Sequence, residues 1–355
     1  MKSWRTLAAT AAAASLILTA CGSEGSATND DGDLLVMLSY KKSIYWLPLL
    51  VAEEKGFLAD EGISLDLEET NGSGFVTQQL LSGNTAVGWA GAPDTVVAYS
   101  KNDEVRALMC NPPQNIFRIV VPEDSDITTV ADLKGKTLGI AEAGGGEEPI
   151  VNASLADAGL ERDRDVTVQP IGDAGPASLN AILDGQVDAY AGSYPDISTL
   201  SADGRLVTRD ITPAEYNAIP GDCLITTAEH LEDEETRGQL VGLARAWAKG
   251  AIYAAAHPEE ATELACAQVP QECEDMDFAA QYTKDTIALS GVTAEGDEPF
   301  GAVPVEAWET TIQVLEDSGA VSGDLDGARL GGGESVADFV ADYSDFDVAE
   351  LRAAP

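Results

Sequence analysis

The chain has 355 residues, 45% hydrophobic and 23% charged, enough apolar material for a packed interior and unlike a disordered segment. Its length exceeds the roughly 250 residues at which single cores stop growing, which points to two domains. Asp and Glu number 61 against 20 Lys and Arg, a net charge of -41 that repels nucleic acid, and two His leave little for His-based metal chemistry.

Lys2 and Arg5 form a basic start, and Leu7 to Leu18 is apolar but shorter than the about 20 residues of a membrane-spanning helix. Residues 1–20 therefore read as an export signal. Leu18-Thr19-Ala20-Cys21-Gly22 resembles the bacterial lipoprotein box, in which the Cys is lipidated; the other reading is an ordinary secretory signal with a chance Cys. Residues 22–32 lack apolar periodicity, so 21–33 reads as a lipidated flexible tether. Export places the rest in an oxidising space, where Cys110, Cys223, Cys266 and Cys273 are expected to pair. Of three pairings, Cys266 with Cys273 across a Pro-containing turn, leaving Cys110 with Cys223, is the expected one.

Leu34 to Leu38 is an apolar run suited to a buried parallel strand, followed by a helix with Pro48 near its start and Gly56 at its end. Strands at Ile63 to Leu67, Ala86 to Ala90 and Val105 to Cys110 alternate with helices, a βαβ series that builds a mostly parallel sheet. Asn111-Pro112-Pro113-Gln114 breaks it and reads as a crossing. A second series has strands at Phe117 to Val121, Thr137 to Ala141, Val166 to Gln169 and Val187 to Ala191, after which Leu206 to Asp222 crosses back to a strand at Cys223 to Thr227. Only helices follow, the longest from Asp233, whose Trp247 is expected in the core. The expected lobes are 34–112 with 222–355, and 113–221, around a central cleft.

Trp46-Leu47-Pro48 with VAEEKGFLADEGISLDL, QQLLSGNTAVGWAGAPDTVVAYSK, ITTVADLKGKTLGI, ILDGQVDAYAGSYPD and DCLITTAEHL occur in the order seen in one family. The chain resembles the periplasmic solute-binding proteins for nitrate, sulfonate, taurine and thiamine-precursor pyrimidines. The resemblance implies a two-lobed α/β periplasmic-binding-protein fold of type II, no catalysis and no cofactor or metal. It also implies a protein that hands its solute to an ABC permease with its ATPase; the solute is expected to be a small polar molecule, an organic acid, a sulfonate or an aminopyrimidine, and the protein a monomer held to the membrane by the lipid that the lipoprotein box places on Cys21. The rival readings are a hydroxymethylpyrimidine-synthase-like enzyme, whose cysteine-rich motif and active-site histidines are not visible here, and a ligand-sensing lipoprotein.

In open parallel sheets a solute sits beyond the carboxyl ends of the strands, so the loops there hold the candidates. Tyr40, Tyr45 and Trp46 offer rings for a flat solute and Lys41 a charge for an anion, the plainer alternative being a core Trp and a solvated Lys. Ser73 and Gly74 begin a helix whose free N–H groups suit a carboxylate or sulfonate, unless Ser73 only caps it. Gly91 and Ala92 permit close backbone approach. Gly145 and Gly146 lie in a loop without Walker or dinucleotide spacing. Glu147 suits an amine or a pyrimidine amino group, or simply complements a helix N-terminus. Ser193 and Tyr194 complete the set, with Tyr194 expected to trap the solute against the first-lobe rings.

Overall fold

The computed structural model describes residues 28–29, 32–70, 72–172, 174–201, 204–292 and 300–353. The export signal, Cys21 and most of the tether lie outside the described residues. The described residues form two five-stranded sheets. In the first, β1 (Leu34–Leu38), β2 (Leu65–Glu69), β3 (Val87–Gly91), β4 (Val105–Cys110) and the late strand β10 (Asp222–Thr227) lie in the order β2-β1-β3-β10-β4. In the second, β5 (Phe117–Pro122), β6 (Thr137–Ile140), β7 (Thr167–Pro170), β8 (Ala189–Ser193) and β9 (Thr208–Asp210) lie in the order β7-β6-β8-β5-β9.

Burial follows residue type. β3 and β4 are buried throughout, as central or covered strands must be, whereas the edge strand β2 exposes Asp66, Glu68 and Glu69. Four strands of each sheet share one direction. The fifth is reversed: β10 is antiparallel to β3 and β4, and β5 is antiparallel to β8 and β9. These are the strands that enter directly from a crossing. Asp222 pairs with Gly91 and Phe117 with Ser193, so each begins where its neighbours end and must run against them. β9 was not expected from the sequence; three residues, Thr-Arg-Asp, are too short and polar for a strand signal.

The two crossings meet closely. Gly221 N–H donates to the Pro112 carbonyl at 3.1 Å, and Asn111 N–H to that of Asp222 at 2.8 Å. A Cβ on Gly221 would stand 2.9 Å from two carbonyl oxygens, those of Pro112 and Gln114, so the contact needs glycine. Cys110 is bonded to Cys223 across β4 and β10 beside this junction, and Cys266 is bonded to Cys273.

The first-lobe core is built on Trp46, Trp89 and Trp247, with ring centroids 4.3 Å apart for Trp89–Trp247 and 6.0 Å for the other two pairs. Trp247 comes from the helix Glu234–Ala256, which packs on the helix Leu47–Glu54. Glu61 clasps the same helix through Arg245 and Lys249, each at 2.7 Å. The helix Val305–Asp317 reaches further than the first lobe, touching both Ala92–Lys101 and the second-lobe helix Glu148–Asp157.

At the helix pair, a Cβ on Gly250 would stand 2.0 Å from the Pro48 carbonyl oxygen. Gly250→Ala is therefore expected to destabilise the protein by about 1–3 kcal/mol despite alanine's better helix propensity. Urea unfolding checks it; a stabilised variant would contradict this packing.

Candidate functional site

The carboxyl ends of the parallel strands in both sheets point at the gap between them. There a partly open cavity of about 50 Å³ is lined by both lobes. The first lobe contributes Ser39, Tyr40, Tyr45, Gly72, Ser73 and Asp222, and the second contributes Ala141, Glu142, Gly145, Gly146, Glu147, Ser193, Pro195 and Asp196. Ile116 and Phe117 enter from the first crossing and the start of β5.

Glycines let the walls meet. A Cβ on Gly74 would stand 2.7 Å from the Gly144 carbonyl, and one on Gly72 2.8 Å from the Glu142 carboxylate, so backbone faces the opposite lobe directly. The Phe117 ring lies against Gly91 on one side and Gly146 on the other. Ser73 Oγ accepts the Gly91 N–H at 2.9 Å, joining the first turn of one helix to the end of β3.

Four of the lining residues are acids: Glu142, Glu147, Asp196 and Asp222. None of the described lining residues is Lys or Arg. Glu147 folds back beneath its own glycine loop, where Oε1 accepts the Ala141 N–H at 3.0 Å, and a Cβ on Gly145 would collide with this carboxylate. Burial pushes the Glu147 carboxyl up to about 8, opposed by its own and Ala141's N–H groups and aided by the charges of Asp196 and Asp94. Asp222 accepts the Tyr45 hydroxyl at 2.9 Å on Oδ2. Burial raises it to about 7, against the pull of the Tyr45 and Ser39 hydroxyls. Asp94, behind this wall at the start of a helix, is pushed up to about 8 by burial and then by the charges of Asp222 and Glu148. Asp196 Oδ2 accepts the Ser193 N–H at 3.1 Å and the Ser193 hydroxyl at 2.6 Å. Among the described residues no group of three His, Cys, Asp or Glu side chains is placed to hold a metal ion.

Of the residues expected from the sequence, Tyr40, Tyr45, Ser73, Gly145, Gly146, Glu147 and Ser193 surround this one cavity. Lys41, Trp46, Gly74, Gly91, Ala92 and Tyr194 stand outside its lining. Trp46 is 1% exposed in the aromatic core, its indole N–H donating to the Lys41 carbonyl. Lys41 is exposed, with its ammonium 5.3 Å from the Tyr40 ring centroid. Tyr194 turns from the cavity to pack on the first-lobe core, where Ser198 and Asp285 meet its hydroxyl. Gly74 and Gly91 serve the lobe contacts described above, and Ala92 N–H donates to the Gly221 carbonyl. Sequence reasoning missed Asp222, Asp196 and Phe117 as wall residues. The one signal was an acid or aromatic at the cleft end of an apolar strand or its following helix.

A family model described as "NMT1/THI5 like" matches residues 43–261. The formylaminopyrimidine-binding protein of Halalkalibacterium halodurans is 24% identical over 306 residues, 85% of this chain and 90% of that protein. The 4-amino-5-hydroxymethyl-2-methylpyrimidine phosphate synthase of Legionella pneumophila is 27% identical over 245 residues, 66% of this chain and 73% of that one. Among solved structures, the periplasmic aliphatic sulphonate binding protein of Escherichia coli superposes with a TM-score of 0.57 at 18% identity, covering 83% of this chain and 91% of that chain. The fold is thus the two-lobed periplasmic-binding-protein fold.

Because the native Glu147 keeps a proton that the unfolded chain releases near pH 4, this group's contribution to stability falls as pH rises toward 8. Relative to Glu147→Gln, the wild type should lose up to about 1.4 kcal/mol per pH unit between pH 5 and 8, then level off. Unfolding free energies measured across that range test it, and parallel pH curves for the two proteins would refute the buried, protonated Glu147.

Proposed function

The chain belongs to the NMT1/THI5-like family, and from that premise we propose that it is an extracytoplasmic solute-binding protein that delivers an amino-bearing heterocycle to an ATP-driven importer. Its lobes, 34–112 with 222–355 and 113–221, turn about the paired crossings to trap the solute, and the protein works as a monomer with no cofactor. Residues 18–22 support an export signal ending in a lipid-bearing Cys21, which would keep the mature protein at the outer face of the membrane. An ABC permease with its ATPase is the corresponding partner.

The observation that carries the choice of solute is the acidic wall: Glu142, Glu147, Asp196 and Asp222 with no basic lining residue among those described. Such a wall offers no cation to a sulfonate or carboxylate, cannot ionise beside one without repulsion, and provides carboxyl oxygens that accept N–H donors. Tyr40, Tyr45 and Phe117 supply aromatic surface for a flat ring. A relative named as a formylaminopyrimidine-binding protein supports the same class. The cavity volume of about 50 Å³ is small beside the pockets that hold organic ligands, so the solute enters with the lobes apart and is gripped as they approach.

A thermal-shift screen of the purified protein separates the classes. An aminopyrimidine at 100 times its dissociation constant should add about 2.7 kcal/mol of stability, while alkanesulfonates and dicarboxylates add none. Stabilisation by the anions alone would overturn the solute assignment, and turnover of the bound pyrimidine would replace the binding role with an enzymatic one.

A further inference from the structure

Resting on that reading of the solute, we propose that Asp222 is the specificity-determining residue: its second carboxylate oxygen accepts an N–H of the solute's amino group, at the pivot between the lobes. Asp222 is 3% exposed and lines the cavity. Oδ2 accepts the Tyr45 hydroxyl and the Ser39 hydroxyl also bears on this carboxyl, yet Oδ1 is buried with no protein donor placed on it. A buried carboxyl oxygen left without a partner is costly, and an N–H brought beside it favours the ionised, purely accepting form, so the complementary group is a donor. With no Lys or Arg among the described lining residues, a charged or N–H-rich partner for this oxygen is one the solute supplies.

Position in the hinge distinguishes Asp222 from the other wall acids. Its carbonyl accepts the Asn111 N–H from the first crossing, the preceding Gly221 bonds to both Pro112 and Ala92, and the following Cys223 is bonded to Cys110. Groups at a hinge move least when lobes rotate. Glu147 and Asp196 ride on the second lobe, at the start of one helix and in the first turn of another. A solute nitrogen seated on Asp222 therefore keeps its partner through opening and closing, and the second-lobe acids complete the enclosure around it.

The test compares 4-amino-5-hydroxymethyl-2-methylpyrimidine with the same molecule lacking the 4-amino group, by calorimetry on the full chain. Wild type should prefer the amino compound by about tenfold to a hundredfold, the range for a hydrogen bond to a charged group. Asp222→Asn retains an acceptor for Tyr45 but turns an N–H toward the cavity, and should abolish that preference, the loss of affinity being at least about tenfold larger for the amino compound than for the desamino one. If Asp222→Asn does not fold by circular dichroism, Tyr45→Phe carries the test: freeing the carboxylate to rotate should reduce the preference several-fold. A preference retained in the folded variant, or absent from the wild type, overturns the role of Asp222 alone. Failure of both compounds to bind wild type overturns the solute reading and this assignment together.

Discussion

Both passages of the chain between the sheets run at the carboxyl ends of parallel strands, and the position of the cleft depends on this constraint. A strand that enters from such a passage starts where its neighbours stop, which is why β5 and β10 alone are reversed in their sheets. The same geometry sends the loops after β1, β2, β6 and β8 toward one gap and brings Gly221 against the first crossing. A disulfide between β4 and β10 ties the junction on its first-lobe side, and that lobe is further filled by three packed indoles.

The cavity inverts the electrostatic logic of the outer surface. Most of the acids are hydrated, where a carboxylate costs little, but Asp222, Glu147 and Asp94 are withdrawn from water and hold their protons near neutral pH. Such groups reduce stability when ionised without partners, and they accept N–H donors when a partner arrives. The glycines complete the arrangement for a steric reason: Gly72, Gly74 and Gly146 each occupy space where a Cβ would meet the opposite wall or the Phe117 ring. Backbone and one aromatic ring, rather than long side chains, therefore face each other across the gap.

Apolar runs and their Pro and Gly boundaries made the strand series legible from residue types alone: Leu34–Leu38 and Val105–Cys110 stand where periodicity put them. The glycine loop ahead of Glu147 was equally visible, because such spacing has few uses in a helix or a strand. Tyr194 and Trp46 were not so readable. A ring beside a strand end is equally suited to a cleft or a core, and which face it takes depends on the elements packed over it: the helix Glu234–Ala256 for Trp46, and the first-lobe surface around Asp285 for Tyr194. Asp222 is the converse case, since a lone acid before an apolar strand carries no local signal of what it faces.

By itself, the amino-acid order determined the two α/β series, their crossings and a strongly acidic composition, because each depends on neighbours within a few residues or on totals over the chain. Only tertiary packing decided the wall of the cavity. Asp222 meets Tyr45 177 residues away, and Glu147 and Asp196 are brought to the same space from separate strand ends. Distance in space between such residues, and therefore their burial and charge state, is set by how two sheets are folded against each other, which no short stretch of sequence encodes.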